Sequence, residues 1–230
     1  MMPVLVELCV EGVENAHVAA TVGADRIELC ADLPRDGTTP SVGVVSEACA
    51  GSRVPIHVLI RPRPGDFVYT PAEIRSMIQD IEAAARAGAA GVALGALTPS
   101  NRIDLDVTQC LIEAATGLSV TFHRAFDLVP DPTEALELLT SLGVDRLLTS
   151  GRPGRARDHL DLLAKLQHQT AGRLRIIAAG GITAADIPDL VAAGIGEIHS
   201  ASAVIGPDGR VDPARVRHLL TVARRPSAPL

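Results

Sequence analysis

The sequence predicts a single (β/α)8 barrel of the α/β class. Its 230 residues suit one domain, because packed cores usually divide only beyond about 250 residues. Apolar runs rich in Val, Ile and Leu alternate with segments of helical period along the whole chain, as in parallel sheets with crossover helices. The segments AGAAGV, LGVDRL and AGIGEI share one pattern, in which a helix is predicted to end at a glycine and a strand to begin directly after it. An open doubly wound sheet stays as the alternative, since sequence does not show closure.

Eight short apolar runs rich in Val, Ile and Leu are the predicted strands, and eight longer segments of helical period are the predicted helices. The strands span residues 4–10, 25–30, 55–60, 91–94, 119–123, 146–149, 174–178 and 197–200. The helices span residues 13–22, 42–50, 71–87, 105–115, 132–142, 155–169, 184–193 and 213–223. Pro71 and Pro132 mark helix starts, and Gly88, Gly143 and Gly194 directly follow helices. We therefore expect a barrel over residues 1–223 and a flexible tail over residues 224–230.

Composition excludes several classes of protein. The chain is 47% hydrophobic and 21% charged, which is typical of a globular protein and not of a disordered one. A net charge of −6, with 2% aromatic residues and no Trp, argues against nucleic acid binding. No apolar run approaches the roughly 18 residues of a membrane span, so we expect no membrane partner. The start MMPVLVELCV has no basic region before its apolar stretch, so we expect a cytoplasmic location.

Cysteine and lysine usage limits the chemistry. The four cysteines lie far apart and form no CxxC pair, so we expect thiols and no disulfide framework. Lys165 is the only lysine, and it falls in a predicted helix far from any strand end. A Schiff-base aldolase mechanism is therefore excluded.

Polar side chains gather at the carboxyl ends of the predicted strands, where barrel enzymes place their active sites. Strand period places Glu7 with Cys9, Glu28 with Cys30, and Glu197 with His199 on shared faces. A carboxylate inside an apolar strand needs a partner, and arginines are the obvious candidates. These carboxylates have two interpretations: a Glu and Arg network that fills the barrel without chemistry, or part of an active site.

Two kinds of site fit these residues. Arg61, Arg63 and Arg124, with the backbone around Ser150 and the Gly180–Gly181 pair, could surround an anion. The glycine pair could equally serve only to turn a strand into a helix.

The second kind of site is catalytic. His123, near Asp127 and opposite Glu28 or Glu7, is a candidate general acid or base. A structural histidine is the equal alternative.

Metal binding is a third possibility. Cys9 and Cys30 would lie on neighbouring strands, and paired thiolates select Cu(I). The alternative is that both are buried apolar residues. A harder site from Glu7, Glu28, His123 and His199 would suit a divalent ion.

Ordered sequence blocks over nearly the whole chain resemble the copper homeostasis protein CutC family. They are VELCV, ADRIELCADL, DGTTPSVG, IRPRPGDFVY, GALTP, IDL, TFHRAFD, GVDRLLTSG, AAGGI and EIHSAS. The resemblance implies a cytoplasmic TIM barrel, a homodimer or higher homo-oligomer, and copper held by Cys9 and Cys30. It also implies a polar cleft formed by Glu7, Glu28, Arg61, Arg63, Asp66, His123, Arg124, Asp127, Thr149, Ser150 and His199. One departure from the family pattern is Arg35 and Asp36 before Gly37, which we expect to alter the mouth of the cleft.

Two functional hypotheses follow. The first is a copper homeostasis protein that chelates Cu(I) through Cys9 and Cys30. The second is a lyase, isomerase or hydrolase without a lysine imine, acting on a small anionic and possibly phosphorylated metabolite. In it, Glu28, His123 and Asp127 are the catalytic candidates. The other cleft residues, with Gly180 and Gly181, bind the substrate.

Overall fold

A computed structural model describes residues 4–225 and shows a closed barrel of eight parallel strands. The strands are β1 (Leu5–Glu11), β2 (Arg26–Cys30), β3 (Ile56–Leu59), β4 (Gly91–Leu94), β5 (Ser119–Phe122), β6 (Arg146–Thr149), β7 (Arg175–Ala178) and β8 (Glu197–Ser200). The ring closes because β1 pairs with both β2 and β8. The predicted (β/α)8 barrel is confirmed, and the open sheet is excluded. Of the predicted tail, residues 226–230 lie outside the described part of the chain.

Eight helices surround the barrel. They are α1 (Gly12–Val22), α2 (Val42–Gly51), α3 (Pro71–Arg86), α4 (Leu105–Ala114), α5 (Pro132–Ser141), α6 (Leu160–Thr170), α7 (Ile187–Ala192) and α8 (Pro213–Ala223). Local signals start several of them, such as the capping box of Thr70 and Glu73 before α3 and the Asp131 cap before Pro132. The predicted helices over 155–169 and 184–193 each begin with a 3-10 turn, at Ala156–His159 and Ala184–Asp186.

Successive side chains of a strand point alternately to the layer packed against the helices and to the interior of the barrel. Val6, Leu8 and Val10 of β1 belong to the large apolar core, which also includes buried residues of the helices. The intervening Glu7 and Cys9 lie on the opposite face of the strand, inside the barrel. The inward-facing side chains of all eight strands share this one interior, to which β4 and β7 also contribute apolar residues.

The register places polar residues of different strands side by side. Glu7 of β1 is opposite His199 of β8, and Cys9 of β1 is opposite Glu28 of β2. The pairing of Glu7 with His199 exists only because the ring closes between the first and last strands. Within residues 4–225, none of the helices combines the length and apolarity that crossing a bilayer requires.

Candidate functional site

A cavity of about 500 Å³ opens at the carboxyl ends of the strands. Its volume lies within the range of small-molecule sites. Nine of the predicted site residues line it: Cys9, Glu28, Arg61, His123, Arg124, Asp127, Gly180, Gly181 and His199. Leu33, Leu59, Phe67, Leu128 and Leu148 add apolar surface. The closed barrel thus brings together residues that are as much as 190 positions apart in sequence.

An ion-paired network lies below the cavity, and we call these residues, Glu7, Arg26 and Glu197, the floor. Arg26 donates from Nε to Glu7, and from Nη2 to Glu197 over 2.7 Å. Although burial opposes ionisation, the His199 hydrogen bond and Arg26 hold the pKa of Glu7 far below its usual range. Glu7 is therefore a permanently charged support of the barrel, and not part of the cavity lining as the resemblance implied.

Sequence reasoning missed Arg26, the partner of both floor carboxylates. The available signal was its position two residues before Glu28, which places both on the inner face of β2. The expectation that arginines pair the buried carboxylates is confirmed for Glu7, but the arginine comes from a strand and not from a loop.

Glu28, His199 and Cys9 form one wall of the cavity, which we call the β1 wall. His199 directs Nδ1 to Glu7 at 2.7 Å and Nε2 to Glu28 at 3.6 Å. Burial raises the pKa of Glu28, and the nearby charge of Glu7 adds to this. Burial alone would lower the pKa of His199, but the charge of Glu28 and the hydrogen bond to Glu7 raise it overall. This wall therefore holds a carboxyl group that no arginine neutralises by direct contact among residues 4–225.

His123 faces the β1 wall from the far side of the ring, because it follows β5 and β5 is diametrically opposite β1. Burial, with the charge of Arg61, lowers the pKa of His123 to about 3, so the ring is neutral at pH 7. Nδ1 accepts a hydrogen bond from the Ala125 amide at 3.3 Å, which places the ring proton on Nε2. In the described residues, Nε2 has no hydrogen-bond partner. His123 is thus an unused hydrogen-bond donor, whereas the sequence suggested a general acid or base.

Arg61 is buried next to His123, yet it contacts no carboxylate. Its guanidinium donates to the carbonyls of Arg35, Asp36, Gly37 and Gly65, and lies 5.0 Å above the Phe67 ring. Its Nε has no partner among residues 4–225. The Arg35–Asp36 departure lies at the mouth of the cavity, because two of these carbonyls belong to it and Asp36 lines the cavity.

Asp127, a predicted acid or base, accepts four hydrogen bonds. It accepts from Arg124 Nε at 2.8 Å, from the Ser150 amide at 3.0 Å and from the hydroxyls of Ser150 and Thr149. Thr149 and Ser150 are buried behind it and are absent from the cavity lining, contrary to expectation. The three residues together position the guanidinium of Arg124 at the mouth.

Arg63 and Asp66, which the resemblance places in the polar cleft, both lie outside the cavity lining. Arg63 binds Asp66 over 2.9 Å and also Glu73, and its guanidinium lies 5.5 Å from the Tyr69 ring centre. Hydrogen bonds to four backbone carbonyls keep the Arg61 side chain buried at the cavity. Ion pairs with carboxylates nearer the surface keep the Arg63 side chain outside it.

The glycine pair after β7 gives the cavity a close backbone wall. Gly180 has φ +97°, and a Cβ there would lie 2.8 Å from the Gly154 carbonyl oxygen, so only glycine fits. Lys165 lies exposed on α6 and is not among the lining residues.

Cys9 and Cys30 are in contact, with their sulfur atoms 3.6 Å apart. Both are buried thiols, but only Cys9 lines the cavity. The hydrogen bond with Cys30, burial and Glu28 raise the pKa of Cys9. Metal–sulfur bonds are about 2.3 Å long, so both sulfur atoms can reach one soft ion. The pair therefore fits Cu(I) in donor type and separation.

Comparison with known proteins gives a consistent result. The model of the CutC family matches residues 4–204. A protein from Bacteroides thetaiotaomicron called family protein CutC is 47% identical over 195 residues, covering 84% of this chain and 78% of its own. The human copper homeostasis protein cutC homolog is 47% identical over 179 residues, covering 78% and 66%. The crystal structure of CutC from Streptococcus agalactiae superposes with a TM-score of 0.82 at 32% identity, covering 86% and 98%.

Proposed function

The chain belongs to the CutC family, and we propose that its cavity binds a small anionic metabolite and converts it without a lysine imine. The observation that carries the proposal is a pair of buried donors without partners in residues 4–225, Arg61 Nε and His123 Nε2. An unsatisfied buried donor costs about 1 to 3 kcal/mol. A ligand that supplies acceptor oxygens to these residues removes that cost and gains affinity.

The charges near these donors favour an anion. The Arg61 guanidinium donates hydrogen bonds only to backbone carbonyls, and no carboxylate lies within salt-bridge distance of it in the described residues. Arg124 adds a second guanidinium, of which Nε binds Asp127. The close Gly180–Gly181 backbone adds a surface that an oxyanion can approach. A phosphate or carboxylate group fits this combination of donors.

The β1 wall is the candidate for the chemistry. Across the ring from His123, it presents the Glu28 carboxyl group, the His199 imidazole and the Cys9 thiol. A neutral His123 polarises a substrate oxygen by donation, while Glu28 exchanges protons. Since Lys165 is on an outer helix, it supplies no imine to the cavity, and we propose lyase, isomerase or hydrolase chemistry that proceeds without one.

Thermal shift with inorganic phosphate and a panel of phosphorylated and carboxylated metabolites tests the binding step. A ligand at about 100 times its Kd stabilises the fold by about 2.7 kcal/mol, or a Tm rise of about 5 to 10 °C. We expect Arg124→Gln to abolish the rise and Arg63→Gln, outside the cavity, to keep it. If no anion raises Tm, or both variants lose the effect equally, the cavity is not an anion site.

Turnover is tested separately. Any metabolite that raises Tm is incubated with the protein and followed by NMR, with Glu28→Gln as the comparison. We expect conversion by the wild type and a loss of at least 100-fold in Glu28→Gln, since general acid–base catalysis contributes roughly 10²- to 10⁴-fold. A tightly bound metabolite that stays unchanged would indicate a binding protein and not an enzyme.

A second candidate function, Cu(I) binding, is favoured by the 3.6 Å contact between the Cys9 and Cys30 sulfur atoms. Anaerobic Cu(I) titration should give one ion per chain in the wild type and in Cys110→Ser, an exposed control thiol. The double change Cys9→Ser and Cys30→Ser should abolish that binding. Unchanged stoichiometry in the double variant would reject the dithiol site.

The cytoplasmic location, the homodimer or higher homo-oligomer and the absence of a nucleic acid partner stay predictions. Cell fractionation and sedimentation equilibrium check the first two predictions, and a filter-binding assay with mixed nucleic acids checks the third.

A further inference from the structure

Three side chains of the β1 wall bring ligand atoms of three kinds together. One sulfur, one carboxylate oxygen and one imidazole nitrogen, from Cys9, Glu28 and His199, lie within 4.8 Å of one another. They come from β1, β2 and β8, three consecutive strands of the ring, and all three residues line the cavity. Cys30 and His123 do not belong to this group.

The second contact of His199 orients it as a metal ligand. Its Nδ1 lies 2.7 Å from Glu7 Oε1, and Glu7 is itself fixed by Arg26. This leaves Nε2 directed toward Glu28, at 3.6 Å. Histidines that bind metals usually donate their other ring N–H to a carboxylate or carbonyl, and such a contact fixes the tautomer and the ring plane. Glu7 supplies that contact here.

One separation within this group suits a tetrahedral ion. Zinc bonds of about 2.0 to 2.3 Å place neighbouring tetrahedral ligands roughly 3.3 to 3.8 Å apart. The 3.6 Å between His199 Nε2 and the Glu28 oxygen falls in this range. Three protein ligands leave a fourth position, and the cavity lies where that position opens.

The charge balance also favours a cation. Within residues 4–225, Glu28 has His199 as its only salt-bridge partner, whereas Arg26 serves Glu7 and Glu197. A sulfur, nitrogen and oxygen donor set selects zinc or a similar transition ion over Mg²⁺ or Ca²⁺, which prefer oxygen ligands.

We propose that Cys9, Glu28 and His199 form a divalent transition-metal site with one open position, and that Glu7 positions His199. Its placement in the anion cavity rests on the proposed function, but metal binding itself does not. A bound ion at this wall polarises the substrate oxygen that occupies the open position. Glu28 then serves as a ligand in the metal-bound protein, in place of its role as an acid or base.

Cobalt(II) titration of the metal-stripped full chain under anaerobic conditions tests the site. We expect one Co²⁺ per chain, with a sulfur-to-cobalt charge-transfer band and intense visible bands of tetrahedral Co²⁺, and displacement by Zn²⁺. Cys9→Ser should lose the charge-transfer band, and His199→Gln and Glu28→Gln should each weaken binding at least 10-fold. Glu7→Gln should weaken it by about 10- to 100-fold while the band is retained, as for other residues that orient a ligand.

Two cysteine variants provide the controls. Cys110→Ser and Cys30→Ser should bind Co²⁺ within threefold of the wild type. If Cys30→Ser loses the band as Cys9→Ser does, the site is the dithiol and the proposal is wrong. A wild-type spectrum without the charge-transfer band would also overturn it. The anion thermal shift of the metal-stripped protein is measured in parallel, so failure of the metal site and failure of the anion site are distinguished.

Discussion

Arg26 of the floor and Arg61 of the mouth are buried to the same degree but are neutralised differently. Arg26 is 6% exposed and binds two carboxylates, whereas Arg61 is 4% exposed and binds only backbone carbonyls. The two arginines therefore differ in whether the group that accepts their hydrogen bonds carries a negative charge. Where each charge has a partner, the network holds the barrel together. At the mouth, Arg61 has no carboxylate partner among residues 4–225, and this is the charge that we propose an anion neutralises.

Each of the two regions also holds a buried histidine that packs against a glycine. His57 lies near the floor and His123 at the mouth, and burial lowers the pKa of the first to about 4 and of the second to about 3. A Cβ at Gly91 would lie 2.7 Å from the His57 ring, and one at Gly95 would lie 2.6 Å from His123 Nδ1. Each histidine therefore occupies space that a glycine leaves open.

Removing the floor arginine should have the largest effect on stability. Arg26→Met leaves Glu7 and Glu197 without their shared partner, and breaking a buried ion pair costs about 3 to 5 kcal/mol. Urea unfolding measures the loss. Arg175→Met is the control, because its side chain is 64% exposed and 3.8 Å from Glu197, and we expect a cost below about 1 kcal/mol. Equal costs for the two variants would remove the distinction between floor and surface.

The neutral histidine at the mouth should make the protein sensitive to acid. The folded-state pKa of His123 is about 3 and the unfolded value is 6.5, so the unfolded chain binds the proton first. Stability is therefore lost as pH falls below 6.5. Between pH values of about 6.5 and 4, this group should contribute a loss of about 3 kcal/mol.

The variant His123→Asn, which can still accept from the Ala125 amide, should show a flatter stability curve over that range when urea unfolding is repeated at several pH values. His218→Asn on the exposed face of α8 is the control and should follow the wild type. Parallel curves for wild type and His123→Asn would mean that His123 does not carry the effect.

The two glycines should rank in a defined order. Alanine at Gly91 meets the Ser119 backbone oxygen at 2.6 Å, which cannot move away easily, while alanine at Gly95 meets only side-chain atoms. We expect costs of about 1 to 3 kcal/mol, with Gly91→Ala the larger. Thermal unfolding compares them. Gly95→Ala should also reduce the anion-induced rise in Tm, since the added methyl group displaces His123. A larger loss of stability for Gly95→Ala than for Gly91→Ala would contradict this account.

Arg63→Gln should have the smallest effect. Its ion pairs with Asp66 and Glu73 lie at the surface, where such pairs contribute about 0 to 1 kcal/mol. Urea unfolding should place the variant within about 1 kcal/mol of the wild type. A much larger loss would mean that this pair acts as part of the mouth and not as a surface contact.

The sequence determined the parts of this protein that depend on neighbouring residues. Alternating side chains assigned Glu7, Cys9, Glu28 and His199 to inner strand faces, and the repeated helix, glycine and strand pattern gave the eight units. The expectation that polar side chains from different strands meet at one end rested only on the general observation that (β/α)8 barrels place their active sites at the carboxyl ends of the strands. The same local periodicity could not show that Arg61 lies in the cavity and Arg63 outside it. The direction of a loop arginine depends on its hydrogen-bond acceptors, and here other segments supply them.

Only the tertiary structure decided which charges meet. Closure of β1 against β8 places His199 between Glu7 and Glu28, and the register of β2 gives Arg26 to Glu7 and not to Glu28. The energies of these contacts depend on distance and burial, which are properties of the folded ring. Two glutamates of similar local sequence therefore differ: one is a permanent ion in the floor, and the other is a carboxyl group left available in the cavity.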